Sequence, residues 1–431
     1  MSMQEAAQKA KEASVHLAAT KTELKNQALA NVEQGLIRRM EDIERANAAD
    51  LKRSEEENLA APLLKRLRFD ADKIRDVAAG LESLIRLEDP VGKTLASTLL
   101  DEDLALYKVS CPIGVIGVIF ESRPDALVQI SALCLKSGNS VILKGGSEAR
   151  ETNRVLYEII REAAAEAGIV DGWIQLAETR DDVGVMLTLD EQVDLIIPRG
   201  SNEFVRYIME HSNIPVLGHA DGICHCYVDE KADLDMAVRV VTDSKTQYVA
   251  VCNATETLLV HEKVAHEFLP KLKASLDGKQ VELVGDATAA AILSIPLATE
   301  DDWKTEYLDY KLSIKTVGSL MEAIDHINKY GSGHTDAILT TDKERVEIFM
   351  DLVDSGNVFW NCSTRFSDGF RYGFGAEVGI STNKIHARGP VGLDGLLIYK
   401  YKLLGHGNIV DDYESGKRTY LHQKSDKPFA L

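Results

Sequence analysis

The chain has 431 residues, enough for two or three domains of ~100–200 residues each, and its 45% apolar content with ordinary Gly and Pro excludes wholesale disorder. Its 49 basic residues stand against 68 acidic ones, and a net charge of −19 disfavours phosphate backbones and anionic lipids, so neither nucleic acid nor membrane is expected as a partner. No run approaches the roughly 18 uninterrupted apolar residues of a spanning helix, Met1 to Lys11 lacks the apolar run of a secretory signal, and six sparse cysteines make no disulfide framework, so a reducing cytoplasm is the expected setting.

From Ala6 to Glu88 apolar residues recur at helical spacing: Leu29, Val32, Leu36 and Ile37, then Ile74, Val77, Leu81, Leu84 and Ile85. Asp70 is placed to open the last helix, and Pro62 breaks the run before it. This arm is expected to pack rather than react. Gly92-Lys93-Thr94 resembles the end of a phosphate loop, but Leu87 stands where the loop requires Gly, so no such loop is assigned. Thr98 to Val109 alternates around acids at 101–103, the pattern of a hairpin.

After Pro112 strands and helices alternate. Ile113 to Phe120 reads as a strand, Asp125 to Lys136 as a helix behind Pro124, and Gly138-Asn139 as the turn into the strand Ser140 to Lys144. A helix from Glu148 to Ala167, closed by Gly168, precedes strands at Trp173 to Ala177, Val193 to Ile197 and Val216-Leu217. A second α/β round runs from about Ile223 to Leu339, and the tail from Leu396 begins apolar and ends polar. Continuous apolar strands separated by helices predict an α/β fold of mostly parallel sheets covered on both faces.

Such sheets bind ligands at the carboxyl ends of their strands. No G-x-G-x-x-G follows a strand, but two turns offer glycines or helix N–H groups to a nucleotide: Lys144-Gly145-Gly146-Ser147 and Arg199-Gly200-Ser201-Asn202. Each also fits a plain strand-to-helix turn. Among the cysteines, a buried inert thiol is the ordinary reading, kept for Cys111, Cys134 and Cys362. Cys224-His225-Cys226 has tighter spacing than a zinc pair and no second pair with it, so two strand side chains facing one way, with His225 opposite, explain it and no metal is expected. Cys252 lies in Val249-Ala250-Val251-Cys252-Asn253-Ala254, just before the apolar strand Glu256 to Val260.

Pro112-Ile113-Gly114-Val115-Ile116-Gly117 followed by Lys144 resembles the cofactor strands of the aldehyde dehydrogenase superfamily. Phe120-Glu121-Ser122-Arg123-Pro124-Asp125, Leu143-Lys144-Gly145-Gly146-Ser147-Glu148, Cys252-Asn253-Ala254 and His386-Ala387-Arg388-Gly389-Pro390 resemble, in order, the γ-glutamyl phosphate reductase family, and the likeness runs from about residue 5 to 410. The resemblance implies NADPH-dependent reduction of γ-glutamyl 5-phosphate to glutamate 5-semialdehyde through a cysteine thioester, in proline biosynthesis. It implies a cofactor domain (1–94 and 111–222), a catalytic domain (223–390) and an oligomerisation hairpin and tail (95–110 and 391–431), hence a homodimer or tetramer. With no kinase domain ahead of it, the chain is expected to be a stand-alone reductase, with glutamate 5-kinase as the supplier the resemblance implies.

By the same resemblance Cys252 is the nucleophile, with Asn253 or Arg123 helping the oxyanion. Lys144, with Gly145, Gly146 and Ser147, falls at the adenosine ribose, Ser201, with Arg199 and Gly200, near the pyrophosphate, and Glu306 at the nicotinamide ribose. Arg365 and the His386/Arg388 pair are the cations proposed for phosphate and α-carboxylate, with surface salt bridges as the rival role. Two departures inform the chemistry. Arg123 stands where ordinary aldehyde dehydrogenases carry an oxyanion-binding Asn, and Leu217-Gly218-His219-Ala220-Asp221-Gly222 lacks their general-base Glu. An enzyme that passes its acyl group to and from phosphate has no hydrolysis to catalyse. Ser147 replaces the Glu of NAD-selective relatives, which favours NADPH. The alternatives are a coenzyme-A-acylating aldehyde dehydrogenase and a non-catalytic nucleotide-binding scaffold.

Overall fold

The computed structural model describes residues 2–179, 181–218 and 221–430. It opens with five helices: α1 (Met3–Leu17), α2 (Thr22–Arg38), α3 (Met40–Glu56), α4 (Ala61–Leu67) and α5 (Ala71–Arg86). Ser2 and Glu5 form a reciprocal capping box on α1, and the Asp70 carboxylate accepts the Lys73 N–H at the start of α5. Pro62 lies in the first turn of α4, where its missing N–H costs nothing, so it opens a helix after the preceding one has already ended at Glu56. Ile37 is exposed although it was expected on the apolar stripe. Leu36 occupies the inward position, and one residue turns the next side chain by about 100°.

The hairpin β1 (Thr94–Asp101) and β2 (Leu104–Pro112) follows, with Asp101 opposite Leu104 across the turn. Next come β3 (Val115–Phe120), β4 (Ser140–Gly145), β5 (Ile174–Ala177) and β6 (Leu195–Arg199), a parallel sheet in the order β5-β4-β3-β6. Every residue of β3 and β4 is buried, because helices cover both faces. The covering helices are α6 (Pro124–Ser137), α7 (Arg150–Glu166), α8 (Asp181–Met186) and α9 (Asn202–His211). Gly138 ends α6 with φ 76°, a conformation that side chains with a Cβ resist. The core of this layer joins α2 and α5 to α6 through Leu29, Val32, Ile74, Leu81, Leu127 and Leu133. The strand expected at Val216-Leu217 reduces to one bridge, Val216 beside Ile196, since Pro215 before it has no N–H for a ladder.

The second sheet holds β7 (Cys224–Val228), β8 (Thr255–His261), β9 (Glu282–Gly285), β10 (Lys311–Val317), β11 (Thr335–Leu339) and β12 (Asn357–Trp360). All pairs are parallel, in the order β12-β11-β7-β8-β10-β9. On one face α10 (Leu234–Thr246) and the helix Glu262–Asp277 bury Val241, Phe268 and Leu272, and on the other Leu320–Tyr330 and Lys343–Leu352 bury Ile324 and Phe349. The short ribbon β13 (Gly379–Ser381) and β14 (Gly389–Val391) precedes β15 (Leu397–Leu404) and β16 (Gln423–Ser425), which flank the hairpin in an antiparallel sheet β15-β2-β1-β16. Its edge strand β15 leaves Ile398, Tyr399, Tyr401 and Leu403 exposed. Among the described residues no helix is long and apolar enough to cross a membrane.

A buried ionic node ties the helical arm to the first sheet. Lys25 of α2 is almost fully buried, with Nζ 2.5 Å from Asp89 Oδ2 and 3.0 Å from the Lys136 carbonyl of α6. Lys136 Nζ in turn donates to Asn26 Oδ1 (2.7 Å) and to the Ile85 carbonyl (3.2 Å). Burial alone would push the Asp89 carboxyl up, but hydrogen bonds from Lys25, Thr22 and the Val91 N–H hold it below its ordinary value. The ionised form is thus favoured by folding, and its stabilisation is complete above the unfolded carboxylate range and lost as pH falls through the folded value. Asp89→Asn strands the Lys25 ammonium and is expected to cost about 3–5 kcal/mol at pH 7. Urea denaturation measures this, and the gap to the wild type should close on acidification; a gap independent of pH would contradict the ionic reading.

Candidate active site

Cys252 lies on the loop between α10 and β8, at the amino ends of β7, β8 and β11. Gly222, just before β7, allows the close approach: a Cβ there would stand 2.5 Å from Cys252 Cα. Cys224 Sγ donates to the Cys252 carbonyl at 3.2 Å and braces the loop from below. The thiol itself meets a residue that the sequence reading did not single out. His334 Nε2 is 3.2 Å from Cys252 Sγ, and His334 Nδ1 is 2.8 Å from Thr335 Oγ1. With Nδ1 protonated and donating to Thr335, Nε2 faces the thiol as an acceptor, the arrangement that draws off a thiol proton. The signal was present as Gly331-Ser332-Gly333-His334-Thr335-Asp336, a glycine-bearing turn that delivers a histidine to the start of an apolar strand.

The remaining cysteines are kept out of the chemistry. Burial pushes the thiols of Cys111, Cys134, Cys224 and Cys362 above their ordinary value, and that of Cys226 to about 11. Cys226 Sγ lies 3.2 Å from Thr255 Oγ1 and His225 Nδ1 lies 2.9 Å from Asp336 Oδ1, so the Cys-His-Cys run is spent on separate structural contacts.

Around the nucleophile, the N–H groups of Cys252 and Asn253 have no acceptor among the described residues, which leaves them for an oxyanion. The Asn253 amide donates to the Ser367 carbonyl at 2.7 Å, tying the loop to the segment that carries Arg365. Arg365 is buried, its Nε donating to Gln247 Oε1 at 3.0 Å. Burial, then the neighbouring Arg371, lowers its pKa, against the pull of Asp368 and Cys252. Arg123 caps α6 and pairs with Asp125 at 2.9 Å. His386 and Arg388, expected beside the substrate, have other partners: His386 Nε2 meets the Gly395 carbonyl at 2.8 Å, and Arg388 binds Asp354 Oδ1 at 3.1 Å. That leaves Arg365 as the buried cation of the three.

The residues expected around a dinucleotide lie along the carboxyl ends of the first sheet. Lys144, buried at the end of β4, donates to the Gly145 carbonyl. Gly145, Gly146, Ser147, Arg150, Asn153 and Glu178 line a shallow cleft. The Glu148 carboxylate accepts from the Ser122 hydroxyl at 2.8 Å and lies close against Gly146, where a Cβ would collide with it. Ser201 caps α9, and Gly200 beside it admits no Cβ, which would lie 2.8 Å from Glu121 Oε2. Glu306 accepts from Asn202 Nδ2 of α9 at 2.6 Å, bringing a loop of the second domain to the mouth of the first. Lys144, the glycine turn, a capped helix start and a crossing carboxylate fit a dinucleotide laid over this edge. Within 217–222, His219 and Ala220 lie outside the described residues, and the Asp221 carboxylate is held by Asn202 at 3.0 Å and Arg206 at 2.6 Å.

If His334 draws the proton from Cys252, His334→Asn should slow alkylation of Cys252 by iodoacetamide at pH 7 by about tenfold. Peptide mass mapping reads the rate at each cysteine, and the other five should stay unreactive in both proteins. An unchanged rate at Cys252 would leave the 3.2 Å contact without a chemical role.

Comparison with known proteins places this geometry. The model of the aldehyde dehydrogenase family matches residues 1–307. The γ-glutamyl phosphate reductase of Acetivibrio thermocellus is 68% identical over 431 residues, covering 100% of each chain, and that of Pelotomaculum thermopropionicum is 66% identical, covering 100% of this chain and 99% of its own. The crystal structure of the γ-glutamyl phosphate reductase of Thermotoga maritima superposes with a TM-score of 0.93 at 40% identity, over 95% of this chain and 100% of that one. An acetylating aldehyde dehydrogenase of Geobacillus thermoglucosidasius shares the fold at 17% identity, with a TM-score of 0.64 over 94% of this chain and 96% of its own. The chain belongs to the aldehyde dehydrogenase family and, within it, to the γ-glutamyl phosphate reductases.

Proposed function

We propose that this chain reduces γ-glutamyl phosphate to glutamate 5-semialdehyde and phosphate, with Cys252 as nucleophile and NADPH as reductant. The contact between Cys252 Sγ and His334 Nε2 carries this reading, because it sets a proton acceptor against a partly exposed cysteine, while burial pushes the other five thiols up. The thiolate adds to the γ-acyl carbon, the Cys252 and Asn253 N–H groups hold the oxyanion, and the C–O bond to phosphate breaks with its electron pair leaving on oxygen. The acyl group then rests on Cys252 as a thioester. When bound, the dinucleotide supplies the hydride that turns this thioester into the aldehyde. Collapse of the thiohemiacetal returns the sulfur as thiolate, so no water enters the cycle.

Lys144 to Ser147 would hold the adenosine ribose, Gly200 and Ser201 the pyrophosphate, and Glu306 the nicotinamide ribose. Ser147 favours a 2′-phosphate, since it sets no carboxylate against it. Arg365 is assigned to a substrate anion, because a buried guanidinium in the field of Cys252 must recover its lost hydration from a ligand. A coenzyme-A-acylating enzyme would have no comparable use for it. Self-association is assigned to the sheet edge at β15, whose open backbone groups and exposed Tyr399, Tyr401 and Leu403 suit a second copy. The acyl phosphate is short-lived in water, so its supply by a nearby kinase is part of this reading.

In the reverse direction the semialdehyde should reduce NADP only when phosphate or arsenate is present to take the acyl group from Cys252. Among the described residues of 217–222, Asp221 is tied to α9 and offers no base to water. After the first turnover, NADPH formation in phosphate-free buffer should fall by about 10²-fold, and NAD should serve less well than NADP. A steady, undiminished rate without phosphate would mark a hydrolytic dehydrogenase and overturn the assignment.

A further inference from the structure

The sequence grouped Arg199 with Gly200 and Ser201 as one nucleotide contact, but the fold separates them. Gly200 and Ser201 belong to the start of α9, whereas Arg199 is still the last residue of β6, paired in register with Phe120 at the end of β3. The Glu121 N–H donates to the Arg199 carbonyl at 3.2 Å, which fixes the two strand ends side by side. The chain runs from β3 to β4 and β5 on one side and then returns to β6 on the other, so β3 and β6 flank the topological switch point of this sheet. Open α/β sheets bind ligands in that crevice. Its two walls carry Arg199 and, three residues past Phe120, Arg123.

The charges there are unbalanced. Arg123 is paired with Asp125, but the Arg199 guanidinium has no hydrogen bond or ion pair among the described residues. Arg199 keeps part of its surface open to solvent, yet protein rings it closely enough that desolvation, and next Arg123, pushes its pKa down; Glu377, Asp125 and Cys252 act weakly the other way. Of these two neighbouring guanidinium groups only Arg123 has an ion-pair partner among the described residues, while Glu377 and Asp125 act on Arg199 without bonding it, so the site is one that a dianion would complete. Cys252 bears on both Arg199 and Arg365, raising the pKa of each guanidinium against the effect of burial.

We infer that Arg199, with Arg123 beside it, receives the phosphoryl group of the acyl phosphate and is not a cofactor contact. This assignment rests on the function proposed above. When the acyl C–O bond breaks, the electron pair passes to the phosphate oxygen, and the two guanidinium groups hold the resulting anion without any proton transfer. Arg365 is then left to the other end of the substrate, so the γ-carbonyl is stretched across Cys252 between two cationic anchors from different domains.

The test is the reverse reaction with inorganic phosphate as the varied substrate. Arg199→Gln should raise the KM for phosphate by roughly tenfold or more, Arg199→Lys should recover part of the loss, and titration of NADP without phosphate should give an unchanged Kd. A weakened NADP Kd with an unaltered phosphate KM would return Arg199 to the cofactor and overturn the inference. Absence of any phosphate dependence in the wild type would instead overturn the proposed function itself. Should Arg199→Gln not fold, phenylglyoxal labelling of the wild type decides the matter: inorganic phosphate should shield Arg199 and NADP alone should not, and the opposite pattern refutes the assignment.

Discussion

A cysteine acts as a nucleophile only where its proton has somewhere to go and a substrate can reach the sulfur. The contact between Cys252 and His334, 3.2 Å long, meets the first condition, and the partial exposure of Cys252 meets the second. Much else in the second domain serves that contact. Gly222 lets β7 pass directly under the loop, Cys224 braces the Cys252 carbonyl and also meets His334 Nδ1 at 3.7 Å, and Asn253 locks the loop to Ser367. His334 is fully buried on the turn before β11, so its ring is held by packing as well as by Thr335. Preorganisation of this kind removes the cost of collecting the groups during reaction.

The site lies between two sheets used in opposite senses. The first presents the carboxyl ends of β3, β4 and β6, while the second presents the amino ends of β7, β8 and β11. Hydride transfer demands that the two edges stay in register, and several polar contacts cross between them. Asn202 holds Glu306 at 2.6 Å, and Asn383 donates to the Val216 carbonyl at 2.7 Å. Behind the Glu306 loop, Lys245 and Glu256 form a fully buried pair 2.6 Å apart, where burial pushes the carboxyl up and the ammonium down. Leu308, on the Glu306 loop, has φ 53°, and Glu256 stands four residues past Cys252.

The sequence made the elements legible wherever a single local rule governed them. The period of Ile74, Val77 and Leu81, the cap at Asp70 and the unbroken apolar runs of β3 and β4 each point to one outcome, and each formed. Cys252 was legible because the motif around it is short and contiguous. His334 was not, since it lies 82 residues along the chain and meets Cys252 only after β7 and β11 pair. The cations show the same limit. Sequence gives Arg365, His386 and Arg388 equal standing, and only the fold shows that Arg365 is buried while His386 and Arg388 meet Gly395 and Asp354. Arg199 illustrates a related limit: it sits next to Ser201 in the chain, but it ends β6 while Ser201 opens α9.

The central claim is that the acyl group of the substrate is transferred to the sulfur of Cys252. Incubation with γ-glutamyl phosphate in the absence of NADPH should trap it, since the thioester has no hydride to accept and the described residues of 217–222 include no Glu to deliver water. Peptide mass mapping after acid quench should then find a glutamyl group on the peptide containing Cys252, removable by hydroxylamine and discharged as semialdehyde on adding NADPH. A Cys252 peptide that stays unmodified while the enzyme remains active, or a glutamyl group found on another residue, would contradict the account.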